Sequence, residues 1–149
     1  MVDTRALKPL EALVGRWQTT GETIAEPPEP SIAISGTDVY EWFDNVFLLH
    51  HADVQMGPQR MRVLEMIGEH DPSDDSYAMR SFDSSGTFTT MRASVDDEGV
   101  WTFANDDMRV RLAIGEDGRS MAARWERRTD DTMWRHWMDM QFTRLPDAG

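Results

Sequence analysis

Apolar and polar residues alternate along most of this chain. The clearest example is the segment 108–114, where Met108, Val110, Leu112 and Ile114 are separated by arginine or alanine. A repeat of two residues is typical of a β-strand that buries one face and exposes the other. The alternation recurs in the segments 101–103, 121–125 and 134–142, with Trp137 as the exception in the last. The pattern therefore predicts a protein built mainly of strands.

Turn signals interrupt these segments at short and regular intervals. They are clusters of Asp, Asn, Ser, Gly and Pro at residues 26–30, 44–45, 57–58, 71–75, 83–86, 96–99, 105–107, 115–118 and 129–131. The segments between them are too short for helices of ordinary length but long enough for strands. We therefore expect about ten strands joined by tight turns.

The N-terminal segment has a different period. Its apolar residues follow the spacing of an amphipathic helix at Ala6, Leu7, Leu10, Leu13 and Val14. Proline is tolerated in the first turns of a helix, which is where Pro9 lies, and Gly15 is expected to end it. The chain thus predicts a single domain over residues 1–149, with a helix at about 5–14 and strands at about 16–144.

Short turns favour consecutive hairpins over the longer crossovers of a β-sandwich. Closing such a sheet removes its exposed edges. The predicted fold is therefore all-β, an up-and-down antiparallel barrel of about ten strands. A barrel of about eight strands is already wide enough for one small ligand, so an interior cavity is expected here.

Composition narrows the function. The 149 residues include 27 acidic and 15 basic side chains and no cysteine, for a formal charge of −12 at pH 7. A strongly acidic chain is repelled by nucleic acid and by anionic membranes. Without cysteine there is no disulfide, thiolate nucleophile or Cys-based zinc site. Charged residues throughout positions 1–15 argue against a secretory signal, so we expect a cytoplasmic protein.

A Gly-x-Trp motif lies between the predicted helix and the first strand, at Gly15 and Trp17 after Leu13. This arrangement resembles the calycin group of barrels, which includes lipocalins and fatty-acid-binding proteins. Residues 69–72, Tyr77 and residues 81–86 add a resemblance to an uncharacterised bacterial family of calycin-like barrels, a domain of unknown function. The resemblance implies a lipocalin-like barrel and carries no established activity.

A related calycin-like group, the nitrobindin-type barrels, binds haem through a histidine late in the barrel. Its glycine-rich opening resembles residues 15–21, except that Thr19 stands where the second glycine of that motif is expected. His136 would occupy the place of the haem ligand. The departure at Thr19 disfavours haem, and the sequence indicates no other cofactor.

Residues 44–45 allow the register of one hairpin to be predicted. A two-residue turn there pairs Phe43 with Val46. Counting back places Asp38 opposite His51 at the end of an aromatic wall, and the bulk of that wall assigns it to the interior. The wall consists of Tyr40, Trp42, Phe47 and Leu49. The opposite phase, which turns His50 inward, is also apolar. A structural ion pair is the simpler role for the carboxylate of Asp38 and the imidazole of His51.

Alternation also places Glu65 and His136 on apolar inner faces. A buried carboxylate at Glu65 needs a partner, which is either an inward arginine or histidine or a ligand. His136 lies between Trp134 and Met138 on the apolar face of the last strand. Histidines in such places are most often hydrogen-bonded core residues. No spacing typical of a metal site, such as His-x-His, is present, and no catalytic residues are indicated.

The expected pocket is lined by methionine and aromatic side chains, which suit a neutral, apolar or aromatic ligand. The candidate ligand-binding residues are Trp17, Asp38, Tyr40, Trp42, His51, Glu65, Tyr77, Met79, Trp125, His136 and Met138. The alternatives are an enzyme that uses a His–carboxylate pair in this cavity, a haem-binding barrel, and a filled barrel that serves as an interaction module or homodimer.

Charge is unevenly distributed along the chain. Acidic residues concentrate in the turns, whereas arginines lie in the predicted strands. On a barrel this places acid at the two rims, where it disfavours the entry of anionic ligands. The sequence therefore predicts a neutral or cationic ligand.

Overall fold

The N-terminal leucines form a short helix against one end of a β-barrel. In the computed structural model, which describes residues 2–128 and 133–146, a 3₁₀ helix spans Lys8–Leu13. Leu7, Leu10 and Leu13 recur every third residue, as a 3₁₀ helix requires, and each is at most 2% exposed. The predicted helix is present but shorter, because Pro9 has no N–H to continue an α-helical hydrogen-bond pattern.

Ten strands follow within the described residues. They are β1 (Gly15–Thr23), β2 (Ala33–Phe43), β3 (Phe47–Met56), β4 (Gln59–Asp71), β5 (Ser76–Asp83), β6 (Phe88–Val95), β7 (Trp101–Ala104), β8 (Met108–Ile114), β9 (Ser120–Arg127) and β10 (Arg135–Arg144). Each pairs antiparallel with its neighbours in the chain, and β1 pairs with β10 to close the barrel. The prediction of an all-β, up-and-down antiparallel barrel with a short N-terminal helix is confirmed.

Two glycines permit β1 and β2 to approach their neighbours closely. A Cβ atom on Gly21 would lie 2.2 Å from the carbonyl oxygen of Asp139, and one on Gly36 would lie 2.1 Å from that of Asp53. Glycine avoids both clashes because it has no side chain. Gly36 lies opposite Thr19 in the register of β1 and β2. The strands can therefore bend beside the residues that form the candidate site.

The β2–β3 hairpin differs from its predicted register by one residue. The turn closes as expected, since the Val46 N–H donates to the Phe43 carbonyl at 3.0 Å. The ladder, however, resumes with Phe43 opposite Phe47, so Val46 is one residue more than a two-residue turn allows. Because side chains alternate, a shift of one exchanges the two faces of β3. His50 therefore faces the interior, and the prediction that His51 does so is wrong.

A β-bulge changes the face of β10 in the same way. His136 is opposite Glu126, but Met138 is opposite Trp125, so Trp137 is an extra residue. His136 consequently lies on the outer wall, where it contacts Asp139 at 2.7 Å. The predicted inward position of His136 is wrong. Extra residues of this kind locally disrupt the ladder and redirect side chains.

The barrel has two different ends. At the closed end, beside the 3₁₀ helix, the inward side chains of the strands are at most 2% exposed, as at Trp17, Leu48, Ile67, Tyr77 and Trp101. Toward the open end, near the β3–β4 and β5–β6 turns, the inward side chains that pack on the core are only partly buried. They include Met56, Met61, Met91, Trp125 and Trp137. We call the interior of the barrel at this end the lumen.

Candidate functional site

A charged cluster lies on the inner wall across β2, β3 and β4. It consists of Asp38, His50 and Glu65, and we call it the Asp38–His50–Glu65 cluster. The His50 Nε2 atom lies 2.6 Å from Asp38 Oδ1, and its Nδ1 atom lies 3.1 Å from Glu65 Oε1. The imidazole is thus held between two carboxylates. Its position follows from the register, since His50 is opposite Glu65 on one side and Tyr40 on the other.

Two neighbours fix the geometry of this cluster. The Thr19 hydroxyl donates a hydrogen bond to the second oxygen of Asp38. The Tyr40 ring stacks on the His50 ring, with centroids 4.1 Å apart and planes inclined by 7°. A doubly hydrogen-bonded, stacked imidazole has little freedom to rotate, so the cluster is preorganised.

Electrostatics favour the charged form of the imidazole. Burial lowers the pKa of His50, but the hydrogen bonds and negative charges of Asp38 and Glu65 outweigh it and raise the pKa from 6.5 to about 9. Burial, together with the same two carboxylates, raises the pKa of Tyr40 well above 10, so its hydroxyl stays neutral. Two carboxylates around one imidazolium leave the cluster with one net negative charge.

This arrangement limits the chemistry available to His50. Both ring nitrogens donate to carboxylates, so neither is free to accept a proton from a substrate. The two carboxylates lie on opposite sides of the ring and do not converge on a common point. Within the described residues, no group of three or more His, Asp or Glu side chains is arranged to hold a metal ion. The geometry suits recognition of a hydrogen-bond donor better than acid–base catalysis.

The cluster is not completely buried. Although all three side chains face inward, the exposed fractions are 15% for His50, 11% for Glu65 and 7% for Asp38. Glu65 uses one oxygen for His50, and its other oxygen has no hydrogen bond to any described residue. A carboxylate oxygen on an inner wall is an acceptor for a ligand group.

The structure brings together only some of the predicted site residues. Asp38 and Glu65 belong to the cluster, which contains His50 in place of His51. Tyr40 stacks on the His50 ring. The other inward candidates lie on the inner wall and take no part in these hydrogen bonds; they are Trp17, Tyr77, Met79, Trp125 and Met138. Trp42 lies at the closed rim, where its indole N–H donates to Glu11 Oε2 at 2.6 Å. Their role in ligand binding stays a prediction.

His51 and His136 are the two candidates outside the barrel. The His51 side chain is 49% exposed and lies 3.4 Å from Glu41. His136 belongs to an outer cluster with Asp139, so it does not point toward any group held in the lumen. The haem-binding alternative through His136 therefore has no support in the geometry.

The sequence pattern does not single out two residues of the site, His50 and Thr19. The alternative phase of β3 turns His50 inward. Only the position of Val46, in or out of the paired register, decides between the two phases. Thr19 lies two residues after the inward Trp17, so alternation alone places it inside, where it is fully buried. Its hydroxyl gave no separate signal because threonine is common in strands.

Two surface depressions lie away from this cluster. One is at the closed end, over parts of β8, β9 and β10, and includes Ile114, Ser120 and Phe142. The other lies between the N-terminal segment and β2, and includes Leu7 and Trp42. Neither contains a member of the Asp38–His50–Glu65 cluster. No helix in the described part of the chain is long and apolar enough to cross a membrane.

The fold and the site together define a closed antiparallel barrel with a charged cluster on its inner wall. The chain belongs to the family described as protein of unknown function (DUF1579), which matches residues 4–144. No curated protein matches it.

A solved structure shares the architecture. The crystal structure of Rv2717c from M. tuberculosis is similar with a TM-score of 0.69 and 13% identity, over 95% of this chain and 98% of that chain. A de novo designed fluorescence-activating β-barrel is similar with a TM-score of 0.49 and 12% identity, over 91% of this chain and 95% of that chain. At such identities the Rv2717c likeness concerns the fold alone.

Proposed function

We propose that this protein binds a small molecule in its lumen, and that the ligand enters through the open end. The ligand has an apolar or aromatic body and a neutral or cationic group that donates a hydrogen bond to Glu65. The observation that carries the proposal is the Asp38–His50–Glu65 cluster itself. Charged groups on an inner wall are costly unless they are paired, and one carboxylate oxygen of Glu65 has no hydrogen bond to the described residues.

The walls around the lumen support the apolar part of the ligand. Met56, Met61 and Met91 are partly buried there, together with Trp125 and Trp137. Unbranched thioethers and aromatic rings adapt to flat apolar molecules. The two carboxylates of the cluster favour a donor or cation over an anion at the end of the ligand that reaches Glu65. The resemblance to calycin-like barrels is consistent with such a role.

Binding in the lumen is tested with the neutral fluorescent probe N-phenyl-1-naphthylamine. We expect a saturable rise in fluorescence with the wild-type protein, and its loss in Met91→Trp, which fills the lumen. The control is Thr90→Trp, which adds the same bulk to the outer face of β6 and should bind the probe normally. Circular dichroism checks that both variants fold. Equal binding by all three proteins would place the probe elsewhere and contradict the proposal.

An outer apolar patch is the competing place for such a probe. Phe82 and Phe88 are 52% and 54% exposed, and their ring centroids are 5.0 Å apart. Phe88→Lys removes that patch without touching the inner wall. If the probe binds in the lumen, this variant keeps the wild-type affinity; if it binds to the patch, affinity is lost.

The role of Glu65 is tested with 2-naphthylmethylamine, which is cationic at neutral pH. Glu65→Gln should weaken binding of this cation about tenfold, the effect of losing roughly 1.4 kcal/mol. The effect on the neutral probe should be smaller, because its single arylamine N–H can still donate to the amide oxygen of glutamine. The matched control is Glu69→Gln, also on β4, whose carboxylate pairs with Arg80 on the outer wall. Equal losses in both variants would show that Glu65 does not contact the ligand.

A further inference from the structure

Trp125 carries a buried hydrogen-bond donor without an acceptor. Its indole Nε1 atom is shielded from solvent and has no hydrogen-bond partner among the described residues. Two other indoles of the protein have acceptors: Trp17 donates to the Leu13 carbonyl at 3.0 Å, and Trp42 donates to Glu11. Buried N–H groups in folded proteins almost always have a partner, and an exception calls for an explanation. A bound ligand would supply the missing acceptor, and the position of Trp125 supports this explanation.

The position of Trp125 is on the inner wall of β9 toward the open end. It lies opposite Val110 on one side and Met138 on the other. Its ring packs edge-on against Trp137, with centroids 6.0 Å apart. Met138 is an unbranched side chain that can shift to admit a small group. A shift of Met138 would open the shielded indole N–H to an incoming ligand oxygen.

A positive charge lies on the same strand as this donor. The Arg127 guanidinium stacks over the Trp137 ring at 4.5 Å, two residues along β9 from Trp125. Within the described residues, Arg127 has no carboxylate at salt-bridge distance, in contrast to Arg109 and Arg124 on the outer wall. An N–H donor and a guanidinium on the same strand, both packed on the Trp137 ring, suit an oxygen acceptor.

We propose that Trp125, supported by Arg127, forms a second contact point in the lumen for a hydrogen-bond acceptor of the ligand. This inference rests on the proposed function and makes it more specific. The ligand then has two polar ends, a donor for Glu65 and a carbonyl, carboxylate or sulfonate oxygen for Trp125. Molecules with an apolar body and only one polar end bind less tightly.

Two probes that differ in one group test this inference. N-phenyl-1-naphthylamine has no acceptor oxygen, whereas 8-anilinonaphthalene-1-sulfonate adds a sulfonate to the same arylamine. Trp125→Phe removes the N–H and keeps an aromatic ring. We expect it to weaken sulfonate-probe binding about tenfold, which corresponds to roughly 1.4 kcal/mol, and to leave the neutral probe within about twofold.

Trp134→Phe is the matched control, because Trp134 stacks with Arg109 on the outer wall. It should change neither probe. If Trp125→Phe weakens both probes equally, or neither, Trp125 only packs and the inference is overturned. If the neutral probe fails to bind even the wild-type protein, the proposed function fails and the inference fails with it.

The wild-type protein gives a second measurement should Trp125→Phe not fold. In ¹H–¹⁵N spectra, the indole signal of Trp125 should move downfield when the sulfonate probe binds and stay in place with the neutral probe. An indole signal that responds alike to both probes, or to neither, would overturn the inference without any variant.

Discussion

At the closed end, hydrogen bonds such as those of Trp17 and Tyr77 tie the N-terminal segment to the barrel, whereas at the open end the inward side chains remain partly exposed. Trp17 Nε1 donates to the Leu13 carbonyl at 3.0 Å, and the Tyr77 hydroxyl donates to the Ala6 carbonyl at 2.6 Å. At the open end, Met61 and Met91 have no comparable cover among the described residues. The difference separates the region that stabilises the fold from the region that is available to a ligand.

The first prediction compares one apolar side chain from each end. Leu10→Ala should lower the free energy of unfolding by about 4 kcal/mol, because it leaves a cavity where the fully buried leucine side chain packs. Met91→Ala should cost only about 1 kcal/mol, because Met91 is already partly exposed. Urea denaturation followed by tryptophan fluorescence measures both. Equal losses would remove the distinction between the two ends.

The second prediction concerns pH and the cluster between the ends. The pKa of His50 is about 9 in the folded protein against 6.5 ordinarily, since the carboxylates of Asp38 and Glu65 outweigh the lowering effect of burial. A pKa raised by folding stabilises fully below the unfolded value, and this stability is lost as pH rises through the folded value. We therefore expect a loss on the order of 3 kcal/mol between about pH 6 and pH 10.

Thermal unfolding of matched variants isolates this effect. His50→Gln should be less stable at pH 6 and show a flatter pH profile, whereas His51→Gln should keep the wild-type slope. The general rise in negative charge with pH affects both variants alike, because each replaces one histidine of β3 by glutamine. The two variants differ in the face of β3 to which the replaced histidine points. Identical profiles for the two would contradict the assignment of His50 to the charged cluster.

The third and smallest effect is expected from the two tyrosines. Tyr77→Phe removes the hydrogen bond to Ala6 and should cost about 1 kcal/mol. It should also speed hydrogen exchange at the Leu10 amide, because the helix opens more often. Tyr40→Phe removes a hydroxyl that has no hydrogen bond to the described residues, so it should change stability by less than about 0.5 kcal/mol. The reverse order would show that Tyr40 secures the inner wall and Tyr77 does not secure the closed end.

Much of the fold was predictable because its signals are local. Alternation such as that of residues 108–114 reports a strand directly, and each cluster of turn residues marks a chain reversal. Glu65 was predicted to be inward and to need a partner for the same reason. These inferences require no knowledge of how strands are aligned with one another.

The faces of β3 and β10 could not be predicted because each depends on one extra residue. Valine and tryptophan are both common in strands, so the residue types at Val46 and Trp137 do not indicate that these positions are unpaired. Each shifts the alternation by one, so His51 and His136 were predicted to lie inside, whereas the structure places them outside. Trp137, the exception to the alternation of β10, was the visible trace of the bulge.

The closure of the barrel has a consequence for how the molecule folds. Every strand pairing except that of β1 with β10 joins neighbours in the chain. Such hairpins form with short loops and a low entropic cost, whereas pairing Trp17 with Arg144 must bring together the two ends of the sheet. We therefore expect the final zipping of β1 onto β10 to be the slow step. Until that seam forms, the inner wall is an open sheet, and the lumen does not exist.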